Sequence, residues 1–210
     1  AEHTHPDEAA SAPARHPVVI VGAGPVGMTL AIDLARQGQA VVLLDDDDKL
    51  SSGSRAICFA KRTLEIWDRL GCGDPMVDKG VSWKVGKVFF RDAQVYAFDL
   101  LAESGHRRPA FVNLQQYYAE GYLSEAMAQY PLIDVRWKHR VASVEPMDAG
   151  VVVEIETARG HYSVHADWLI ACDGARSPVR KSMGLESRGR SFRDRFLIAD
   201  LRMKASFPPE

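Results

Sequence analysis

The stretch Val18-Val19-Ile20-Val21-Gly22-Ala23-Gly24-Pro25-Val26-Gly27 decides how this chain folds. Four β-branched residues run straight into Gly-x-Gly-x-x-Gly. Residues 28–36 then carry a helical pattern, and a second apolar run, residues 40–44, ends on Asp45. Strand, glycine turn, helix, strand and acid is the order of a dinucleotide-binding βαβ unit. Gly22 permits the tight turn. Gly24 lets the backbone approach a pyrophosphate, and Gly27 lets the helix pack closely on the strand. The helix N-terminus offers N–H groups and a partial positive charge to phosphates. Asp45, 18 residues past Gly27, is placed to accept hydrogen bonds from a ribose. The bare alternative is a tight strand–helix turn that holds no ligand.

Composition sets the outer bounds. Of 210 residues, 46% are hydrophobic and 26% charged, ordinary for a globular protein, and the formal net charge is −2. Nothing in that balance calls for nucleic acid or an anionic membrane. No apolar stretch approaches the length of a membrane-spanning helix. Cys58, Cys72 and Cys172 are odd in number, widely spaced and without a Cys-x-x-Cys, which reads as reduced, cytoplasmic cysteine and no metal site. Residues 1–16 are poor in large apolar side chains and are expected to form a disordered tail. His3 and His5 within it are expected to be solvated, not metal-bound.

Further along, a helix is expected over residues 60–70 and a β-hairpin over 85–96, turning at Asp92-Ala93. Residues 115–129 form an amphipathic helix stopped by Pro131. Short strands follow at 132–137, 140–145, 151–157 and 161–165, the last three making an antiparallel meander. Trp168-Leu169-Ile170-Ala171-Cys172 reads as a separate buried strand ending on Asp173-Gly174, with a short helix beginning near Ser177-Pro178. A last strand is expected over 192–203. Arg188, Arg190, Arg193 and Arg195 read as a solvated or ion-paired face.

Taken together, these residues resemble the FAD-dependent aromatic hydroxylases of the para-hydroxybenzoate hydroxylase class. The resemblance rests on five features in order. They are the glycine motif, the strand-end acid Asp45, Ser54-Arg55-Ala56, Gln116 with Glu120 and Leu123, and the segment from Trp168 through Asp173-Gly174-Ala175-Arg176-Ser177 to Arg180. Within the class the sequence is most like the phenol and hydroxyphenylpropionate hydroxylases. The resemblance implies that Gly22, Gly24, Pro25, Gly27, Asp45, Arg55, Ala56, Gln116, Val141, Asp173 and Gly174 bind FAD. Arg55 would reach a phosphate or the ribityl chain by its guanidinium fork, unless it is a surface arginine capping a helix. Gln116 would serve the ribityl hydroxyls or flavin edge, and the Val141 backbone would pair with adenine. Asp173 would bond a ribose hydroxyl or Arg55. Arg176 and Arg180 are either structural or nicotinamide-phosphate contacts.

The expected fold is therefore α/β. It combines an FAD-binding Rossmann-like parallel sheet, an antiparallel β-meander and part of a β-rich substrate domain. Residues 17–82 and 100–184 would form the FAD-binding domain, and 83–99 with 185–210 a partial substrate domain. Val18–Val21, residues 41–44 and residues 168–172 should be parallel neighbours. The implied activity is NAD(P)H-dependent hydroxylation of a small phenolic compound with molecular oxygen, NADPH or NADH being co-substrate. A homodimer is left open. The family's later Gly-Asp signature is not found after Arg180, so the chain reads as the N-terminal portion of a longer hydroxylase. A related flavoenzyme, a halogenase or a dehydrogenase, and a non-catalytic FAD-binding module are the rival readings.

Overall fold

A computed structural model describes residues 5–10, 12–51, 57–197 and 204. A 3-10 turn at Pro6–Ala9 precedes β1 (Ala14–Val21), α1 (Pro25–Arg36) and β2 (Val41–Leu44). Then come β3 (Cys58–Ala60), α2 (Lys61–Arg69), α3 (Asp74–Lys79), β4 (Val81–Trp83), β5 (Val85–Phe90) and β6 (Ala93–Asp99). The chain continues with β7 (Phe111–Asn113), α4 (Gln116–Met127), β8 (Ile133–Arg136), β9 (Arg140–Met147), β10 (Gly150–Thr157), β11 (Gly160–Ala171) and α5 (Pro178–Ser182).

The main sheet has the order β8-β2-β1-β11-β10-β9. β1 pairs in parallel with β2 and β11, so Val21 lies opposite both Leu44 and Ala171, as expected from the three apolar runs. β8 joins β2 in parallel, and β9, β10 and β11 run antiparallel as the meander. Alternation along the strands sends side chains to two cores. Val18, Ile20, Val41 and Leu43 meet Ile32, Trp67 and Leu123 of the helices. Val19, Val21, Val42 and Leu44 meet Val144, Val153 and Val164 of the meander. A strand covered on both faces needs apolar residues at every position, which is why residues 18–21 form an unbroken run. Each such buried side chain contributes about 1.5–3 kcal/mol over exposure, enough for the two cores to hold the layers together.

Three expectations are corrected. Residues 161–165 and 168–172 are not two strands: β11 is a single strand of 12 residues. Nothing in His165-Ala166-Asp167 turns the chain, and Ala166 pairs with Val151 of the meander on one side and His16 of the parallel sheet on the other. The strand thus passes from one partner to the next without a break. Second, a disordered tail was expected over residues 1–16, but residues 6–9 and 14–16 are ordered. β1 begins at Ala14, and the Pro6–Ala9 turn is docked by charge. Asp7 Oδ2 lies 2.8 Å from His16 Nε2 and 2.9 Å from Arg136 Nη2. Glu8 accepts from Arg159 at 2.7 Å. Composition does not reveal such pairing, because Arg136 and Arg159 lie far along the chain and the nearer partner, His16, belongs to β1. Third, residues 192–197 carry no regular secondary structure, and 198–203 lie outside the described residues.

Smaller pieces flank this frame. β3-β7-β4 form a three-stranded sheet, with Trp83 stacked on Phe111. The basic loop over residues 105–109 is pinned by buried Arg108, which pairs with Asp68 and Asp74 beside α2 and α3. β5 and β6 make a separate hairpin with exposed Phe89, Phe90 and Tyr96. No helix among the described residues is long and apolar enough to cross a membrane.

The docked N-terminus should show in acid. Hydrogen bonds from Arg159 lead the causes that lower the Glu8 carboxyl from 4.5 to about 2, against the opposing effect of burial. A depressed folded-state pKa stabilises fully above the unfolded value and is lost as the pH falls through the folded value. Stability from Glu8 should therefore fade as the pH falls from about 4.5 to about 2. Glu8→Gln should flatten that part of the acid limb in melting curves taken across this window. An unchanged limb would remove Glu8 from the folded-state balance.

Candidate functional site

β1, β2 and β11 point the same way, so their C-terminal ends lie side by side. In open α/β sheets that edge is where ligands bind. The ends are stitched by backbone. The Gly22 N–H donates to the Leu44 carbonyl at 2.7 Å, and the Cys172 N–H donates to the Val21 carbonyl at 2.7 Å. From the stitched edge emerge three short segments, led by Gly22, Asp45 and Cys172.

The three glycines of the motif are required for different reasons. Gly22 has φ +101°, and a Cβ there would sit 2.5 Å from the Cys172 carbonyl oxygen. At Gly27 a Cβ would lie 1.9 Å from the Gly22 oxygen. Contacts inside the protein demand both. Gly24 has φ −74°, and a Cβ there would meet no described atom within 4 Å. Nothing among the described residues asks for glycine at this position. Gly24 is also the N-cap of α1, makes no side-chain cap and is followed by Pro25 in the first turn. The first-turn N–H groups of α1, those of Val26 and Gly27 among them, have no partner within the helix.

Asp45 is half-buried and braces this turn. Its Oδ2 accepts from the Ala23 N–H at 2.6 Å, and its Oδ1 from the Asp47 N–H at 2.9 Å. Burial pushes its carboxyl above the usual carboxylate range, with those two N–H groups opposing. Two cavities, each of about 280 Å³, meet at Gly24, Asp45 and Asp46. One is walled by Gly22, Val141, Asp173 and Gly174, the other by Ala23, Gln116 and Glu120. Together they form a trough with the α1 N-terminus at its middle.

The structure thus brings Gly22, Gly24, Asp45, Val141, Asp173 and Gly174 to one cavity and Gln116 to its neighbour. Pro25 and Gly27 shape the start of α1 without lining either. Arg55 and Ala56 lie outside the described residues. Gln116 opens α4 and donates to Glu120 Oε1 at 2.6 Å, while buried Glu120 accepts the Ser51 N–H at 2.6 Å. That bridge ties Ser51 onto α4. Asp173 Oδ2 is engaged by the Ser177 hydroxyl at 2.7 Å and the Val179 N–H at 3.2 Å, next to Ser177, the N-cap of α5, whose hydroxyl accepts the Arg180 N–H. Arg180 donates to the Ala175 carbonyl at 2.7 Å and holds the same turn. His139, which lines the first cavity, was not legible as a site residue; it precedes β9 with no motif around it. Among the described residues no group of side chains is arranged to hold a metal ion.

The arrangement can hold an extended, doubly anionic ligand: N–H donors and a positive helix end at the centre, a carboxylate beside them, and a wall of strand backbone at one end. An α/β fold with this trough at the ends of parallel strands defines a dinucleotide-binding domain. Residues 15–209 match the family described as the FAD binding domain, and the chain belongs to that family. It is 29% identical to the para-nitrophenol 4-monooxygenase of Pseudomonas sp. (strain WBC-3), over 88% of this chain and 46% of that protein. It is equally 29% identical to the 3-(3-hydroxy-phenyl)propionate/3-hydroxycinnamic acid hydroxylase of Mycobacterium sp. (strain JLS), over 88% of this chain and 32% of the relative. The crystal structure of p-nitrophenol 4-monooxygenase from Pseudomonas putida superposes with a TM-score of 0.80 at 29% identity, covering 86% of this chain and 46% of that one. The chain spans about a third to a half of the length of the curated relatives it matches.

The glycines should separate on mutation. Gly27→Ala forces a Cβ against backbone and should cost about 1–3 kcal/mol, as overpacking does. Gly24→Ala meets nothing and should stay within about 0.5 kcal/mol of wild type. Thermal melting of the two variants side by side checks this; equal losses would mean that Gly24 is also hemmed in by the protein.

Proposed function

We propose that this chain is the FAD-binding part of an NAD(P)H-dependent flavoprotein monooxygenase that hydroxylates a small phenolic compound with molecular oxygen. The observation that carries the reading is Gly24. It is the one glycine of the motif that no described atom constrains, and it lies where the two cavities meet at the N-terminus of α1. The names of the relatives, a nitrophenol monooxygenase and a hydroxyphenylpropionate hydroxylase, support the phenolic substrate class.

In this reading the pyrophosphate lies against Gly24 and the first turn of α1. Asp45 accepts from the adenosine ribose while it braces the turn. The base lies along the Val141 backbone, and Gly22, Asp173 and Gly174 close that end. Gln116, oriented by Glu120, faces the ribityl chain. Arg55 and Ala56 are FAD contacts in this reading on the resemblance alone. When bound, FAD supplies the electron transfer and oxygen chemistry. This chain's residues bind and orient it, and the layers around the trough exclude water.

Titration of the purified chain with FAD, followed by flavin absorbance and fluorescence, tests binding. In the whole protein, oxidation of NADH or NADPH stimulated by a panel of phenols tests the activity. Bound flavin without such oxidation would favour a non-catalytic FAD module.

Two variants sharpen the test. Gly24→Val should abolish flavin binding in a chain that still melts cooperatively. Asp45→Asn removes a charged acceptor worth about 1.5–3 kcal/mol, so FAD affinity should fall roughly 10- to 100-fold. Because burial raises the Asp45 carboxyl, wild-type affinity should weaken as the pH drops, beginning above the usual carboxylate range. Asp45→Asn should abolish that dependence. A pH-independent wild-type affinity would take Asp45 out of the contact.

A further inference from the structure

The Pro6–Ala9 turn lies outside residues 15–209, the part of the chain that matches the family. Its acidic side chains nevertheless point inward: the Glu8 side chain is only 7% exposed. Glu8 Oε1 accepts from the His5 N–H at 2.8 Å and from Arg159 Nη2 at 2.7 Å, and it lies 3.6 Å from His139 Nε2. Glu8 Oε2 accepts from Arg159 Nε at 3.1 Å and lies 3.5 Å from the Thr157 hydroxyl. One carboxylate therefore spans two turns, residues 137–139 before β9 and residues 157–160 before β11.

A cavity of about 290 Å³, lined by Trp137, His139, Thr157 and Arg159, lies between those turns. His139 has a specific need for an outside partner. Its Nδ1 donates to the Trp137 carbonyl at 2.8 Å, and its edge meets the Tyr162 ring. Its Nε2 is buried and has no hydrogen-bond partner among the described residues, and Glu8 is the carboxylate it faces. On the other side of the turn the His139 N–H donates to the Asp45 carbonyl at 2.8 Å. Immediately after it, Arg140 and Val141 form the wall of the cavity that holds Gly22 and Asp45. His139 thus lies between the Asp45 carbonyl, which its N–H bonds, and the Glu8 carboxylate 3.6 Å away, and the strand that follows inherits its position.

We propose that the Pro6–Ala9 turn is a brace of the nucleotide site, with Glu8 the positioning residue that sets the His139–Val141 wall against which the base lies. The proposal rests on the FAD reading given above for the role of that wall. Glu8 touches no ligand; it acts through His139 and Arg159.

The test uses the full chain and three variants, Glu8→Gln, Arg159→Gln and Arg15→Gln. The last breaks an exposed pair with Asp167 near the same terminus and serves as the control. Two readouts are taken: titration with FAD and with ADP, and amide hydrogen exchange by residue. Glu8→Gln and Arg159→Gln should each weaken FAD and ADP binding about fivefold or more, on the order of 1 kcal/mol. They should speed exchange at His139 and Val141 while the amides of Gly22, Gly27 and Leu123 keep wild-type rates. Arg15→Gln should change neither. Unchanged affinity in Glu8→Gln, or faster exchange spread evenly over the sheet, would overturn the brace. If wild type binds neither FAD nor ADP, the reading of the site falls and the base-wall proposal falls with it. Exchange confined to His139 and Val141 would then show the mechanical link alone.

Discussion

Two backbone hydrogen bonds hold the ends of three parallel strands level: Gly22 to Leu44 and Cys172 to Val21, each at 2.7 Å. Bonds this close leave no room for side chains at the crossing. A Cβ on Gly22 would strike the Cys172 carbonyl, and a Cβ on Gly27 would strike the Gly22 oxygen. The first helix can therefore start only where glycine lets it lie against the strand end. Everything at the site follows from that closeness. The α1 N-terminus, Asp45 and the segment after β11 share one edge because the strands that carry them end together.

Asp45 shows how the edge is kept open for a ligand and closed to collapse. Its two oxygens take the N–H groups of Ala23 and Asp47, so the turn is held without a bound partner. The cost is burial of a carboxylate, which raises its pKa. Glu120 does related work at the far end, joining Gln116 to the loop that begins at Ser51. In both cases a partly or fully buried acid anchors a segment that itself carries a binding candidate.

Periodicity and punctuation made much of this legible in advance. The unbroken apolar runs announced strands covered on both faces, and the glycine spacing announced the turn, because both patterns come from local sterics. Gln116 and Glu120 were visible as a pair four apart on one helix. Other features escaped. His165-Ala166-Asp167 carries no apolar run, so β11 read as two strands, yet an absence of turn residues is weak evidence of continuity. The N-terminal turn escaped because two of the groups that hold it, Arg136 and Arg159, lie far along the chain, and composition does not show that His16 of β1 turns toward Asp7.

The sequence by itself determined the βαβ unit, the parallel neighbours and the acid at the second strand's end, since φ/ψ limits, helix and strand periods and glycine's missing Cβ act over a few residues. Tertiary structure alone decided which of the three glycines faces open space and that Glu8 comes within 3.6 Å of His139. Those outcomes depend on where segments more than a hundred residues apart come to rest. Burial and charge pairing fix such contacts only after the two cores have closed on either face of the sheet.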